Sequence, residues 1–241
     1  MAVSALLGGL RVGVIIPARD EALALPAVLP RLPPWLAEVV VVDNGSRDGT
    51  ADIAAALGAR VVAEPRRGYG AACLAGIAAL SSDVDTVLFM DADASDDPED
   101  IPALLAPILA GEAAMVVGSR VARAAPGALT QQQRFGNALA CGLMRGVWGG
   151  RFTDLGPFRA IRREALDRLA MQDMTWGWTV EMQVRALRLG LPVAEVPVRY
   201  RRRIGVSKIS GTVMGSARAG TKILWVIARE ALGRGAPERR Y

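Results

Sequence analysis

The sequence predicts an α/β fold: a single domain with a mostly parallel central sheet flanked by helices. Two features predict it. Short runs rich in Val and Ile recur through the first 120 residues, with Ala- and Leu-rich segments of helical character between them. That alternation is the pattern of βαβ units. The runs are also apolar throughout rather than alternating with polar residues, as expected of strands covered on both faces.

In chain order, strands are expected at 11–17 (RVGVIIP), 38–43 (EVVVVD), 60–64 (RVVAE), 86–91 (TVLFMD) and 114–119 (AMVVGS). Helices are expected at 21–32, 50–57, 70–80 and 99–110. After Arg120 the rhythm changes. A helix is read over 130–148, weakened by Gly136, Gly142 and Gly146. A strand follows at 155–162, a helix at 177–189, a strand at 193–200, a basic loop at 199–208 and a helix from 212 to 233. No linker, repeat or low-complexity segment interrupts the chain. One domain over 1–241 is expected, with one ligand for the half spanning 10–120, another for 121–210, and a basic amphipathic end from 211.

The 241 residues are 51% apolar, enough for a substantial core. Cys73 and Cys141 give no disulfide framework, which suits a reducing, cytoplasmic setting. Histidine is absent, so a metal would be held by oxygen, and zinc, Ser-His and Cys-His chemistries are set aside. Neither a secretory leader nor a run of about twenty apolar residues is seen, so no membrane span is expected. The net charge of +5 is uneven. From Arg199 onward, eleven basic and two acidic residues give +9, leaving 18 basic and 22 acidic residues, or −4, for the rest. Such a basic end attracts phosphates, nucleic acid or an anionic membrane, or is simply solvated. It carries no nucleic-acid recognition motif, so no nucleic-acid partner is expected.

Open α/β sheets bind ligands at the carboxyl ends of their strands. Here those ends carry Pro17 to Glu21, Asp43 to Ser46, Glu64 to Gly68, Asp91 to Asp93 and Gly118 to Arg120. Asp91 and Asp93 stand one residue apart at the end of a buried run. Carboxylates so close repel unless a cation lies between them, and hard divalent ions take carboxylate oxygens. Asp96 to Asp100 has a plainer reading: Asp97 as a helix N-cap, Pro98 as the first helical residue, and acids near the positive end of the dipole. Gly68 and Gly70 read equally as an anion-accepting turn or as a helix entry. Trp176 and Trp178 read as core or as a platform for a sugar.

Seven stretches, "VIIPARDE", "VVVVDNGSRDGTADIA", "RRGYGAACLAGI", "MDADASDDPEDIPALL", "VVGSR", "TDLGPFRAIRREAL" and "VEMQVRALRLGLPVAEVPVRYRRRIGVSK", occur in the order found in family 2 glycosyltransferases. The chain most resembles their dolichyl- or polyprenyl-phosphate sugar synthases. The resemblance implies a GT-A fold, a nucleotide-sugar donor (GDP- or UDP-linked), Mg²⁺ or Mn²⁺, and inversion at the sugar carbon. It places Pro17, Arg19 and Glu21 in the nucleotide pocket, Asp43 near the base or ribose, and Asp91 and Asp93 on the metal. Family members often carry Gln two residues further on; here Ser95 stands there, leaving the third ligand open. The motif R-x-x-G-x-S-K appears as Arg202, Gly205, Ser207 and Lys208, a loop for the donor diphosphate. Arg120 and Arg134 match acceptor-phosphate arginines.

Two kinds of acceptor remain open. A polyprenyl phosphate is already largely dianionic at pH 7 and needs little base catalysis. A hydroxyl of a soluble molecule or glycolipid needs a carboxylate base, for which Asp154 and then Glu181 are the candidates. A non-catalytic nucleotide-sugar-binding protein is the rival from another class. A nucleotidyltransferase fits less well, because Pro17 to Glu21 is not its Gly-rich loop. The segment 211–230 is amphipathic and either covers the core or lies flat on an anionic membrane, making the protein peripheral at the inner face.

Overall fold

The computed structural model describes residues 9–205 and 213–233, the side chains of 213–219 excepted. Among the described residues seven strands form one sheet: β1 (Val12–Ala18), β2 (Glu38–Asp43), β3 (Arg60–Ala63), β4 (Thr86–Phe89), β5 (Met115–Ser119), β6 (Arg159–Arg162) and β7 (Val193–Pro197). Their order across the sheet is β3-β2-β1-β4-β6-β5-β7. All neighbours run parallel except those of β6, which is antiparallel to both β4 and β5. The described helices are α1 (Leu25–Val28), α2 (Thr50–Ala56), α3 (Tyr69–Ala79), α4 (Ile101–Leu109), α5 (Gln131–Trp148), α6 (Arg163–Leu169), α7 (Trp178–Arg188) and α8 (Val213–Ala231). Short 3-10 turns at Leu29–Arg31 and Pro98–Asp100 adjoin α1 and α4.

The period of two along the central strands feeds two cores. Val14 and Ile16 of β1, Val41 of β2, and Leu88 and Met90 at β4 meet α1 and α4 on one face. Ile15, Val40, Val42, Val87 and Phe89 meet α3, α5, α7 and α8 on the other. This double burial is why the strands read as continuous apolar runs. α3 approaches so closely that a Cβ on Gly76 would lie 2.4 Å from a methyl of Ile15. Thr130 caps α5 reciprocally with Gln133, which explains where that helix begins. The expected elements are all present within a few residues. The sequence reading omitted α6, which follows β6 with no turn between them.

The C-terminal helix covers the core with one face. Val226 and Ile227 of α8 are buried in the core, while Leu224 and Trp225 face outward. Among the described residues, no helix is long and apolar enough to cross a membrane.

Candidate active site

The carboxyl ends of β1, β2 and β4 open onto a cleft of about 180 Å³. Pro17, Arg19 and Glu21 follow β1 into it, and Asp91 and Asp93 follow β4. Five of the expected residues are thus brought together. The loops that deliver them leave ordinary backbone space at two points: Asp20 has φ 50° and Ala94 φ 63°. Left-handed backbone at a non-glycine residue costs about 1–3 kcal/mol and clusters at functional sites. The bend at Ala94 turns Ser95 back, so that its backbone N–H (2.9 Å) and hydroxyl (2.5 Å) both donate to Asp93 Oδ1. Ser95 is fully buried. Its hydroxyl and N–H thus both orient the Asp93 carboxylate.

The acidic run divides as its chemistry suggested. Asp97 caps the 3-10 turn by accepting from Glu99 N, with Pro98 first in the turn. Asp96 Oδ2 accepts from the Asp91 backbone N–H at 3.1 Å and so fixes the strand end. Burial, and then the neighbouring charge of Asp93, push the Asp91 carboxyl up to about 7, against the pull of Arg120. Two hard oxygen donors one residue apart, one of them a buried carboxyl that resists ionising without a cation, fit Mg²⁺ or Mn²⁺. Among the described residues no third acidic, histidine or cysteine ligand joins them. The remaining ligands would be oxygens of a bound diphosphate and of water.

The segment after β7 runs beside this site. Arg201 N donates to Ser95 O (2.8 Å) and Ile204 N to Asp93 O (2.9 Å). Arg203 lines the cleft, with Nη2 3.0 Å from Glu21 Oε1 and Nη1 3.3 Å from Asp93 Oδ2. The expected Arg202 points elsewhere, its Nε donating to Pro126 O. Arg203 therefore occupies the position expected of Arg202. Ser207 and Lys208 lie outside the described residues.

Further expectations need correction. Asp43 does not line the cleft; its Oδ1 accepts from Ser46 N, and the next residue, Asn44, lines the cleft instead. Asn44 also donates to Glu64 O and Arg66 O, and accepts from Gly68 N, tying the loop after β2 to the loop after β3. Gly68 and Gly70 form no anion-accepting turn. Gly70 N and Ala71 N donate instead to Thr175 O and Met174 O of a neighbouring loop. The tryptophans separate: Trp178 is core, packed edge-on against Phe89 at 6.0 Å, while Trp176 lines the cleft with Tyr69.

Neither candidate base faces the cleft. Asp154 is fully buried. It accepts from Arg120 at N (2.9 Å), Nε (2.7 Å) and Nη2 (2.7 Å), from Asn137 Nδ2 (2.5 Å) and from Leu155 N (2.8 Å). Burial raises its pKa, but the Arg120 hydrogen bonds and charge outweigh that and hold the carboxyl below its ordinary value. A carboxylate so occupied is a poor proton acceptor. Glu181, also fully buried, accepts from Gln172 N (3.1 Å) and Asp173 N (2.8 Å) and pairs with Arg185 (2.9 Å) and Arg229 (2.8 Å). Of the two arginines expected to meet an acceptor phosphate, Arg120 is buried with its guanidinium over the Tyr200 ring, and Arg134 is exposed on α5.

A parallel sheet with a cleft at its strand ends, floored by an Asp-x-Asp pair, describes a GT-A glycosyltransferase. The family model for glycosyl transferase family 2 matches residues 13–170, and the chain belongs to that family. It is 39% identical over 212 residues to an uncharacterized glycosyltransferase of Mycobacterium tuberculosis, covering 87% of this chain and 94% of that one. It is 32% identical over 252 residues to an undecaprenyl-phosphate mannosyltransferase of Micrococcus luteus, covering 93% of this chain and all of that one. Among solved structures it is similar to glucosyl-3-phosphoglycerate synthase from Mycobacterium tuberculosis in complex with Mn²⁺, UDP and glucosyl-3-phosphoglycerate. That match has TM-score 0.78 and 25% identity, and covers 98% of this chain and 84% of the other. The GT-A fold and the assignment as a glycosyltransferase enzyme rest on these matches together.

Proposed function

We propose that this glycosyltransferase moves a sugar, with inversion, from a GDP- or UDP-sugar to a polyprenyl phosphate. The observation that carries the acceptor is the outer face of α5. Phe135, Leu139, Leu143 and Val147 stand four residues apart along it, and all are exposed, Phe135 by 71%. The same helix carries Arg134 and Arg145 and has no acidic residue. An apolar stripe beside cations suits a lipid whose head is a phosphate.

The cleft supports the same acceptor. Besides the Asp91/Asp93 pair, Glu21 is the one other carboxylate lining it among the described residues, and Arg203 holds that group. A hydroxyl acceptor would have no free base there. A phosphate acceptor needs none: its oxygen attacks the anomeric carbon as the bond from that carbon to the nucleoside diphosphate oxygen breaks on the opposite face. No proton has to move. Mg²⁺ or Mn²⁺ held by Asp91 and Asp93 would neutralise the departing diphosphate. Arg203 lies where it can take up the same charge, and Lys208, five residues further along the sequence, would add a second cation. Arg19, Glu21 and Asn44 would hold the nucleoside, and Arg120 and Arg134 would orient the acceptor phosphate. The undecaprenyl-phosphate mannosyltransferase relative supports this acceptor class.

The test is transfer from radiolabelled GDP- and UDP-sugars, with Mn²⁺, into undecaprenyl phosphate and into 3-phosphoglycerate. Label extractable into organic solvent is expected. Label found only in a soluble product would move the acceptor to a hydroxyl compound, the class handled by the solved synthase. Donor binding without transfer to either would favour a binding protein.

A further inference from the structure

The loop between α6 and α7 is held by both ends of the protein's architecture. On one side it rests on the start of α3. A Cβ on Gly68 would lie 2.0 Å from Met174 O, and one on Gly70 1.8 Å from Asp173 O. Only glycines let the loop in so far. From this loop Trp176 reaches the cleft, beside Tyr69. On the other side the loop turns on Asp173, whose Oδ1 accepts from Thr175 N (2.8 Å), Thr175 Oγ1 (3.0 Å) and Gly177 N (3.2 Å). Asp173 Oδ2 is buried and receives no hydrogen bond from another loop group. Its partner is Lys222 Nζ of α8, 2.8 Å away.

The fit with α8 is close. A Cβ on Gly177 would meet Asp173 Oδ2 at 2.5 Å and Val226 at 2.7 Å. Lys222 Nζ also sits over the Trp225 ring, 4.6 Å from its centroid, so its position is fixed from two directions. Glu181 reinforces the junction: it accepts from Gln172 N and Asp173 N and pairs with Arg229 of α8. A buried aspartate that has lost its counter-charge reorganises to reach water, and its loop moves with it.

We propose that Lys222 is a positioning residue for the donor: by neutralising Asp173 it holds the 173–177 loop, and with it the Trp176 side chain that walls the sugar end of the cleft. This rests on reading the cleft as a nucleotide-sugar site. Within that reading the polar groups of Arg19, Glu21 and Asn44 suit the nucleoside, and Asp91, Asp93 and Arg203 suit the diphosphate. The aromatic part of the lining is left for the sugar, where an indole offers a broad apolar face and an N–H. The C-terminal helix, far from β1 and β4 in sequence, thereby acts on sugar recognition.

The test separates sugar from nucleotide. Full-length wild type, Lys222→Met and Lys222→Arg are titrated with UDP-glucose and GDP-mannose, and with UDP and GDP alone, with Mn²⁺ present. Met keeps the apolar stem of the side chain and removes the charge. The expected result is that Lys222→Met weakens nucleotide-sugar binding about tenfold, equivalent to about 1.4 kcal/mol. Binding of the matching nucleoside diphosphate should stay within about twofold on the same scale, and Lys222→Arg should restore the sugar-dependent part. Trp176→Leu should reproduce the sugar-selective loss without lowering the melting temperature, which guards against misfolding of the Lys222 variant. Equal weakening of sugar-linked and sugar-free ligands, or no weakening of either, overturns the proposal. Failure of the wild type to bind any of the four ligands would instead overturn the site reading on which it stands.

Discussion

Replacing Asp154 tests whether that carboxylate serves chemistry or architecture. Five donors converge on its two oxygens, three of them from Arg120. The Arg120 and Asp154 side chains are 9% and 0% exposed. Asp154→Ala would leave a guanidinium in the protein with no counter-charge. Breaking a buried pair from one side costs about 3–5 kcal/mol, against a total stability of about 5–15 kcal/mol. For a domain of this size each kcal/mol shifts the melting temperature by about 2–4 °C. A fall of about 6–20 °C is therefore expected, read by thermal denaturation. The double variant Asp154→Leu/Arg120→Met should recover much of that loss, because it removes both charges together.

The pH dependence has a definite sign. The folded-state pKa of Asp154 lies below its ordinary value. Its contribution to stability is therefore full above about pH 4 and is lost as pH falls through the folded pKa. The melting temperature of the wild type should drop below about pH 4 more steeply than that of Asp154→Ala. In activity assays, Asp154→Asn should raise the KM for the acceptor, because Arg120 would lose its fixed orientation. A variant Asp154→Asn that melted like the wild type and lost only kcat, with acceptor KM unchanged, would refute this reasoning and restore Asp154 as a general base.

Asp91→Asn and Asp93→Asn should abolish transfer and Mn²⁺-dependent donor binding. Asp91→Asn should not lower the metal-free melting temperature at pH 8, since burial and Asp93 already oppose the Asp91 charge; full activity in either variant would sink the metal assignment. Arg203→Gln and Lys208→Ala should each weaken nucleoside diphosphate binding by about 10- to 100-fold, as expected for a lost charge-assisted hydrogen bond, with little effect on the nucleoside, whereas Arg202→Gln should leave calorimetric titrations unchanged. The full-length protein should co-sediment with anionic vesicles at low salt and come off as salt rises, and a Phe135→Ser/Leu139→Ser variant should bind them less without loss of fold. Deleting residues 212–241 should destabilise the protein measurably, because Val226 and Ile227 belong to the core.

The sheet was legible because both faces of its central strands are buried, which leaves an uninterrupted apolar signal in a single chain. The direction of β6 was not, since insertion between β4 and β5 depends on pairings made with residues far away in sequence. The seven-residue α6 escaped for a local reason: Arg162 ends β6 and Arg163 begins the helix, with no Gly, Pro or Asn to mark the join. In the site, Asp91 and Asp93 could be read from their own spacing. Arg203 could not be told from Arg202. The backbone contacts of Arg201 and Ile204 lay an extended segment along residues 93–97. Alternate side chains then face the acids: Arg201 meets Asp97 at 2.5 Å and Arg203 meets Asp93, while Arg202 turns away. Nothing local in three successive arginines reveals that phase. Asp154 misled in the same way, because the partner that occupies it lies 34 positions earlier.

The uneven charge of the chain acquires a purpose in the same region. The cations that open the basic C-terminal block are not a free tail: Arg199 pairs with Asp97, Glu99 and Asp100, Arg201 with Asp97, and Arg203 with Glu21 and Asp93. Arg203 thus stands as counter-charge to one of the two carboxylates proposed to hold the metal. A divalent ion arriving alone must compete with a guanidinium for Asp93, and a diphosphate arriving alone must draw Arg203 away from two carboxylates. Arriving together they exchange partners, with the ion taking Asp93 and the diphosphate taking Arg203, and no charge is left bare in the cleft. Binding should therefore be cooperative, and by linkage the factor by which UDP or GDP tightens Mn²⁺ must equal the factor by which Mn²⁺ tightens the nucleotide. Coupling of that kind is typically about 5–150-fold. In Arg203→Gln the competition disappears, so Mn²⁺ alone should bind more tightly than in the wild type while the coupling factor falls. Mn²⁺ binding followed by electron paramagnetic resonance, with and without nucleotide, measures both quantities. Equal Mn²⁺ affinity in the two proteins would show that Arg203 does not guard the site.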